Sequence, residues 1–182
     1  MIAPKLALAA FAAVAVSFTT AHARPRPAGL GGRAFEANKT FGIGLEGPQP
    51  FGFNGKWFFN TTQAIDFGVG DDFVLGDRAG FHVYGDLLFH PVSLVSAPAF
   101  ELPFYVGVGG RIWTFRDAAL VGPNDATAFG FRVPLGVTFD FNNIPLDAFA
   151  QVVPTLDFFS GHSVHSVFID FDVSVGARYW FN

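Results

Sequence analysis

The sequence predicts an all-β fold, and three observations support this prediction. Apolar residues make up 51% of the 182 residues, only 14% are charged, and 25 are phenylalanine. No segment after Lys39 has a helical period, whereas apolar and polar residues alternate along stretches that recur to the end of the chain. Alternation with period 2 sends successive side chains to opposite faces of a strand. We therefore expect an eight-stranded antiparallel up-and-down β-barrel whose strands each have one apolar face.

The clearest alternation lies in residues 129–141 and 166–181. In both stretches every odd-numbered residue is apolar, from 129 to 141 and from 167 to 181. The opposite faces carry charged residues, among them Arg132 and Asp140 in the first stretch and Arg178 in the second. The same pattern, less regular, predicts six further strands at residues 40–46, 51–60, 64–70, 81–90, 102–115 and 146–155. Residues 91–101 and 157–165 are expected to be connections.

The first 23 residues have the pattern of a secretory signal peptide. Lys5 supplies the positive charge, residues 6–16 form an uninterrupted apolar run, and Ala21-His22-Ala23 matches the small-x-small cleavage pattern. The apolar run is shorter than the roughly 20 residues that a membrane-spanning helix requires. An uncleaved anchor is the alternative, but we expect export and cleavage after Ala23.

Residues 24–38 contain prolines and glycines, a composition that favours neither helix nor strand. We expect a flexible periplasmic leader here, followed by a single barrel domain of residues 39–182.

Composition excludes several classes of site and partner. The chain has no cysteine, which rules out a disulfide scaffold, a zinc–thiolate centre and a thiol nucleophile. Its net charge is −4 and it has no basic cluster, so we expect no nucleic-acid partner.

Period 2 alone does not tell whether the apolar face points into a core or toward lipid. It points inward in a soluble, lipocalin-like barrel and outward in an outer-membrane barrel. The polar face is rich in glycine, which weakens an exposed strand but leaves room inside a narrow lumen. It also carries charges of both signs, which can pair in such a lumen. These features favour a transmembrane barrel. The predicted lumen polar network consists of Glu46, Lys56, Asp66, Asp86, Arg111, Arg132, Asp140, Asp147, Asp170, Asp172 and Arg178.

Aromatic residues near the predicted strand ends form a second set. Amphipathic rings favour the headgroup level of a membrane, where they fix the depth of a barrel. The predicted aromatic girdle consists of Trp57, Phe59, Trp113, Tyr179 and Phe181. Ordinary aromatic packing in a β-core is the alternative.

The predicted barrel resembles the small eight-stranded outer-membrane barrels of the OmpA/OmpX type. Its last strand ends in Phe181, as is typical of bacterial outer-membrane proteins, although Asn182 follows. Four segments are similar to a group of outer-membrane barrels of uncharacterised function: FNGKW at 53–57, RVPLG at 132–136, VVP at 152–154 and GARYWF at 176–181.

The resemblance implies a monomer in the outer membrane, inserted by the barrel-insertion machinery and in contact with outer-membrane lipid and lipopolysaccharide. It also implies a plugged lumen and a structural or surface-interaction role of the extracellular loops.

Some eight-stranded outer-membrane barrels modify lipid A, and a serine hydrolase needs a serine, a histidine and an acid. The nearest match is His162, Ser163 and His165, with Asp170 close by. The two histidines and Asp157 also have ligand types that bind metals. Both sets lie in an expected outer loop, where these residue types are ordinary solvated side chains. We therefore predict no catalytic, cofactor or metal site. The alternatives are a lipid A-modifying enzyme, a soluble lipocalin-like binder and a small pore.

Overall fold

A computed structural model describes residues 29–72, 80–115, 126–160 and 165–181. These residues form ten β-strands; they contain no helix, and hence none long and apolar enough to cross a membrane. The strands are β1 (Gly29–Arg33), β2 (Phe41–Pro48), β3 (Phe51–Phe58), β4 (Gln63–Asp72), β5 (Gly80–Ser96), β6 (Phe100–Phe115), β7 (Ala126–Arg132), β8 (Leu135–Phe141), β9 (Leu146–Ser160) and β10 (His165–Phe181). The predicted all-β class is confirmed. The predicted signal peptide lies outside the described residues.

All strand pairings are antiparallel, and they close the sheet into a ring. Strands β2 to β6 pair in chain order, β9 pairs with β10, and β10 pairs back onto β2. One end of the ring, the turn end, has turns at residues 59–62, 97–99 and 142–145, together with the start of β2 and the end of β10. The other end, the loop end, has the turn at residues 49–50 and the strand ends that border the undescribed segments.

Strands β7 and β8 occupy one position in the ring, because each pairs with β6 on one side and β9 on the other. The prediction of one strand over residues 129–141 is wrong at Val133 and Pro134, which separate the two. Proline has no N–H to donate, so it interrupts the ladder. Two backbone hydrogen bonds bridge the interruption: Gly107 N–H donates to the Pro134 carbonyl (2.9 Å) and Val133 N–H donates to that of Pro154 (3.0 Å).

Several strands are longer than the sequence predicts, and β5 and β9 differ most. The connection expected at residues 91–101 is mostly strand, because β5 continues to Ser96 and β6 begins at Phe100. Register shifts between β5 and β6 near residues 89–95 accommodate Pro91 there, as bulges do in other sheets. Strand β9 continues to Ser160, so Asp157 belongs to a strand rather than to the expected loop. The longer strand places Asp157 in the interior.

The leader prediction is wrong for its described part. Residues 29–33 form β1, which pairs with the end of β5. Beyond it, Phe35 is buried, and Ala37 N–H donates to the carbonyl of Thr61 (2.7 Å). Local composition disfavours a strand here, but β5 extends past the start of β4 and offers an unpaired backbone edge. Pairing with that edge satisfies backbone groups on both segments.

The two faces of the ring differ sharply in polarity. Along β10, Phe171 and Val173 are 59% and 47% exposed, whereas Asp172 between them is 1% exposed. The same alternation runs through β5, whose odd-numbered residues from 81 to 89 are exposed while the even-numbered ones are buried. The ring therefore has an apolar outer face and a polar interior.

Interior glycines make room for aromatic rings on the neighbouring strand. A Cβ atom at Gly68 would lie 2.3 Å from Cε1 of Tyr84, its direct partner on β5. A Cβ atom at Gly136 would lie 2.4 Å from Cζ of Tyr105, its partner on β6. Both distances are far below ordinary van der Waals contact, so each ring fills the space that a side chain opposite would need.

Candidate functional site: the buried polar interior

The side chains predicted to line the lumen are buried in the ring with one exception. Asp170 is half-buried; its side chain is 15% exposed. The buried members are Glu46, Lys56, Asp66, Asp86, Arg111, Arg132, Asp140, Asp147, Asp172 and Arg178. Most of them fall into clusters around three arginines, one each on β6, β7 and β10, whereas Lys56 and Asp140 lie at the turn end.

The cluster nearest the turn end is built on Arg178. Its Nε and Nη2 donate to the two carboxylate oxygens of Asp147 (3.0 and 3.1 Å), the direct partner of Arg178 on β9. Its Nη1 reaches across the interior to Asp66 (3.0 Å) on β4 and to the amide oxygen of Asn54 (3.1 Å) on β3. Asn54 Nδ2 donates back to Asp66 (3.2 Å). One guanidinium thus joins four strands, a geometry that lysine cannot provide.

A hydrogen-bonded chain continues from this cluster toward the middle of the ring. Asn54 Nδ2 donates to the hydroxyl of Tyr84 (2.7 Å), and that hydroxyl donates to Oε1 of Glu46 (2.7 Å). The guanidinium of Arg132 lies over the Tyr84 ring, 4.0 Å from its centroid. The tyrosine therefore links the Arg178 and Arg132 clusters.

Arg132 is fully buried and connects the two halves of the interior. It forms ion pairs with Asp86 (Nε to Oδ1, 3.3 Å) and Asp172 (Nη1 to Oδ2, 3.6 Å). Its Nη1 also donates to Nε2 of His82 (3.1 Å).

The cluster nearest the loop end is built on Arg111. Its Nε donates to Asp157 (3.0 Å), and its Nη2 contacts the other oxygen of the same carboxylate. Nη1 donates to both oxygens of Asp172 (2.8 and 2.6 Å), and Nη2 also donates to Asp170 (3.1 Å). Because Asp172 contacts both Arg111 and Arg132, the polar network is continuous along the interior. Bidentate, charge-assisted hydrogen bonds of this kind are the strongest available to buried charges.

Sequence reasoning missed several members of this network. Asp157 was assigned to a loop, and Lys39 was placed at the border of the leader. Asn54 and Tyr84 are uncharged, but both lie on the predicted polar face and both are buried. The parity of the alternation was the signal that could have found them.

Polar side chains also fill the turn end. Lys56 Nζ lies 2.8 Å from His90 Nε2 and 4.5 Å from the centroid of the Tyr105 ring. Lys39 Nζ donates to the carboxylate of Asp140 and to the carbonyl oxygens of Phe141 (3.0 Å) and Leu146 (3.2 Å). Asp140 therefore pairs with a residue that precedes the first strand of the ring.

The predicted girdle residues do not all face outward. Trp57 is 45% exposed, Phe59 is also exposed, and Tyr179 and Phe181 are half-buried. The prediction that Trp113 belongs to the girdle is wrong. Its side chain is 3% exposed and lies opposite His82 on the interior face of β6. It follows Arg111 by two residues, so the strand alternation sends both side chains inward, and the guanidinium stacks 5.1 Å from the indole ring centroid.

The catalytic and metal candidates fall largely outside the described residues. His162 and Ser163 lie there, and of His165 only the strand backbone is described. The carboxylate of Asp170 is not free to serve in a catalytic set, because Arg111 binds it. Asp157 is likewise bound by Arg111 through both oxygens. Within the four described ranges, no group of three ligand-type side chains has the spacing of a metal site.

Chemically, this interior can hold the strands together and exclude solvent. Arginine and tyrosine side chains reach across the ring, and their hydrogen bonds join strands that are not neighbours: Arg178 on β10 bonds Asp66 on β4, and Tyr84 on β5 bonds Glu46 on β2. Comparison of the chain with models of known families, with curated proteins and with solved structures gave no match.

Proposed function

We propose that the protein is an eight-stranded integral outer-membrane β-barrel with a plugged lumen, which acts through structural support of the envelope or through surface contacts of its loop end. The apolar outer face carries this proposal. Large side chains with at least 38% exposure occur on β2 to β10. Soluble proteins rarely expose a contiguous apolar patch of more than a few hundred Å², and burying such surface in lipid gains roughly 25 cal/mol per Å².

The strand count follows from treating β7 and β8 as one strand interrupted by Pro134, and β1 as an addition outside the ring. Eight positions then remain around the ring. A barrel of eight strands has an interior just wide enough to be filled by side chains. The continuous network around Arg111, Arg132 and Arg178 fits such an interior, and it supports a plugged lumen rather than an open pore.

The direction of the faces also bears on the lipocalin-like alternative. That hypothesis requires the apolar face to line a central cavity, but the buried face carries Arg132 and Asp66 while Phe53 and Phe171 are exposed. The proposed partners are accordingly outer-membrane lipid and lipopolysaccharide, with the barrel-insertion machinery acting during assembly. We propose a monomer, since a closed ring leaves no sheet edge between β2 and β10 to pair with a second copy.

The proposal is tested by fractionating cells that express the full chain and by running the membrane fraction on gels in mild SDS, with and without boiling. We expect the protein in the outer-membrane fraction, with a compact band that shifts on boiling. A protein that stays soluble without detergent and shows no shift would contradict the proposal.

A matched pair of substitutions sharpens the test. Val173→Lys places a charge on the outer face in the middle of β10, where a lipid-facing lysine costs about 2–4 kcal/mol. Ile144→Lys makes the same change at an exposed residue of the turn at residues 142–145, outside the strands. Only Val173→Lys should reduce the heat-shifted band. Equal behaviour of the two variants would mean that the outer face does not contact lipid.

A further inference from the structure

The segment between β1 and β2, residues 34–40, crosses the turn end of the ring; we name it the strap. Its backbone is held by two hydrogen bonds to the rim. Ala37 N–H donates to the carbonyl of Thr61 (2.7 Å), and Phe58 N–H donates to that of Thr40 (2.8 Å). Lys39 contacts Asp140, Phe141 and Leu146, which flank the turn at residues 142–145 on the side of the ring opposite Thr61. The strap therefore spans the opening.

Two side chains hold the strap in place. Phe35 is buried and packs against the rings of Phe58 (5.9 Å between centroids) and His90 (5.3 Å). The ammonium group of Lys39 lies in a socket of three oxygens, formed by the carboxylate of Asp140 and the carbonyls of Phe141 and Leu146. Asp140 and the socket carbonyls belong to β8 and β9, so the lysine fastens the strap to the far wall.

Beneath the strap lies a small cavity of about 10 Å³, whose lining combines aromatic side chains with those of Lys56, His90 and Asp147. This volume is close to the minimum for one water molecule. Thr138 Oγ1, Trp180 Nε1 and the side-chain amide of Asn38 all border this cavity, and none of them has a hydrogen-bond partner among the described residues. Thr138 and Trp180 are 4% and 2% exposed.

The unpartnered polar atoms and the contacts of the strap have opposite effects on its closure. Buried polar atoms without partners disfavour the closed strap, because they would be hydrated if the strap lifted. The Lys39 socket and the packing of Phe35 favour closure. The strap has no ladder of its own between residues 34 and 40, and β1 before it is a five-residue strand with three glycines and a register shift.

We propose that the strap is a displaceable plug held shut by Lys39, and that its release opens the cavity at the turn end to small polar solutes. The site it uncovers contains Lys56, His90, Thr138 and Asp147. The inference concerns the ring itself and holds whether or not the outer face contacts lipid.

The test measures solvent access to the cavity with a single cysteine. The chain has no cysteine of its own, so Thr138→Cys provides a near-isosteric reporter that lines the cavity. A small charged methanethiosulfonate reagent is added to the folded full-length mature chain, and the labelling rate is compared with and without Lys39→Met. We expect Lys39→Met to raise the rate about 10- to 100-fold, since each tenfold corresponds to about 1.4 kcal/mol of closing free energy.

Two control variants separate the socket from general effects of charge. Lys39→Arg keeps a cation in the socket and should leave labelling within a few-fold of the parent rate. Arg33→Met removes an exposed cation just before the strap and should have no effect. Equal rates in the parent and Lys39→Met, or an equal increase with Arg33→Met, would overturn the proposal.

Hydrogen exchange on the unmodified chain gives a second measurement that requires no variant. The Ala37 amide, which bonds the strap to Thr61 on the rim, should exchange at least 10-fold faster than ladder amides of β10, such as that of Gly176. Exchange of Ala37 as slow as that of the ladder would show that the strap does not open and would refute the proposal.

Discussion

Replacing Gly68 with alanine should destabilise the ring, because the added methyl group has no room. Its Cβ atom would lie 2.3 Å from Cε1 of Tyr84 and 2.5 Å from Oε1 of Glu46. Tyr84 is held where it is by its hydrogen bonds to Glu46 and Asn54, both 2.7 Å, and by the guanidinium of Arg132 over its ring. The ring cannot move away without giving up some of these contacts.

The expected loss follows from these contacts. Overpacking of a well-filled interior costs about 1–3 kcal/mol, and each hydrogen bond that Tyr84 loses adds about 1 kcal/mol. The assay is urea unfolding of the chain refolded in detergent micelles, followed by gel mobility without boiling. Gly68→Ala should lower the midpoint of unfolding.

Gly85→Ala is the matched control. Gly85 lies on the neighbouring strand β5 but on the outer face, and a Cβ atom there would meet nothing within 4 Å. This variant should be as stable as the parent or slightly more stable, because alanine has less backbone entropy to lose than glycine. If Gly68→Ala and Gly85→Ala unfold at the same urea concentration, the assignment of Gly68 and Tyr84 to a tightly packed interior is refuted.

Two further predictions concern the interior. Arg178→Met should lower the free energy of unfolding by about 3–5 kcal/mol, because it leaves Asp147 and Asp66 buried without their cation. Adding Asp147→Leu should recover part of that loss, and the absence of any recovery in urea unfolding would contradict the pairing. Among single-tryptophan variants in lipid vesicles, brominated lipid should quench the fluorescence of Trp57, whereas Trp113 and Trp180 should be protected. Strong quenching of Trp113 would mean that this side chain faces lipid as a girdle residue.

Much of this architecture was accessible from the sequence because strand alternation has a fixed period. Once residues 166–181 were recognised as a strand, the parity placed Asp172 and Arg178 on one face and Phe171 on the other. The partners of each charge were not accessible. Arg178 meets Asp66 across the interior, and that contact depends on ring closure and on the register of four strands.

The sequence contains a signal for two features that the structure corrects, the interior position of Trp113 and the break at Pro134. Trp113 was assigned to a rim girdle because aromatic residues favour membrane interfaces, although its parity with Arg111 placed it inside. The break at Pro134 was likewise foreseeable, because proline in a strand removes a ladder donor.

The strap could not have been predicted in the same way. Prolines and glycines in residues 24–38 give no local preference for a strand, and β1 forms only because β5 extends past the start of β4. Lys39 is one of three lysines in the chain, but its socket is built from residues about 100 positions away. Such long-range contacts leave no periodic signal.

The central claim is that the apolar face of the ring is its outer face and contacts lipid. Single cysteines at Val173, Ser174 and Val175, in a chain that otherwise has none, would carry an environment-sensitive fluorophore in vesicles that contain nitroxide-labelled lipid. We expect strong quenching at Val173 and Val175 and weak quenching at Ser174, which is buried in the interior. The opposite alternation, or equal quenching at all three positions, would contradict the account.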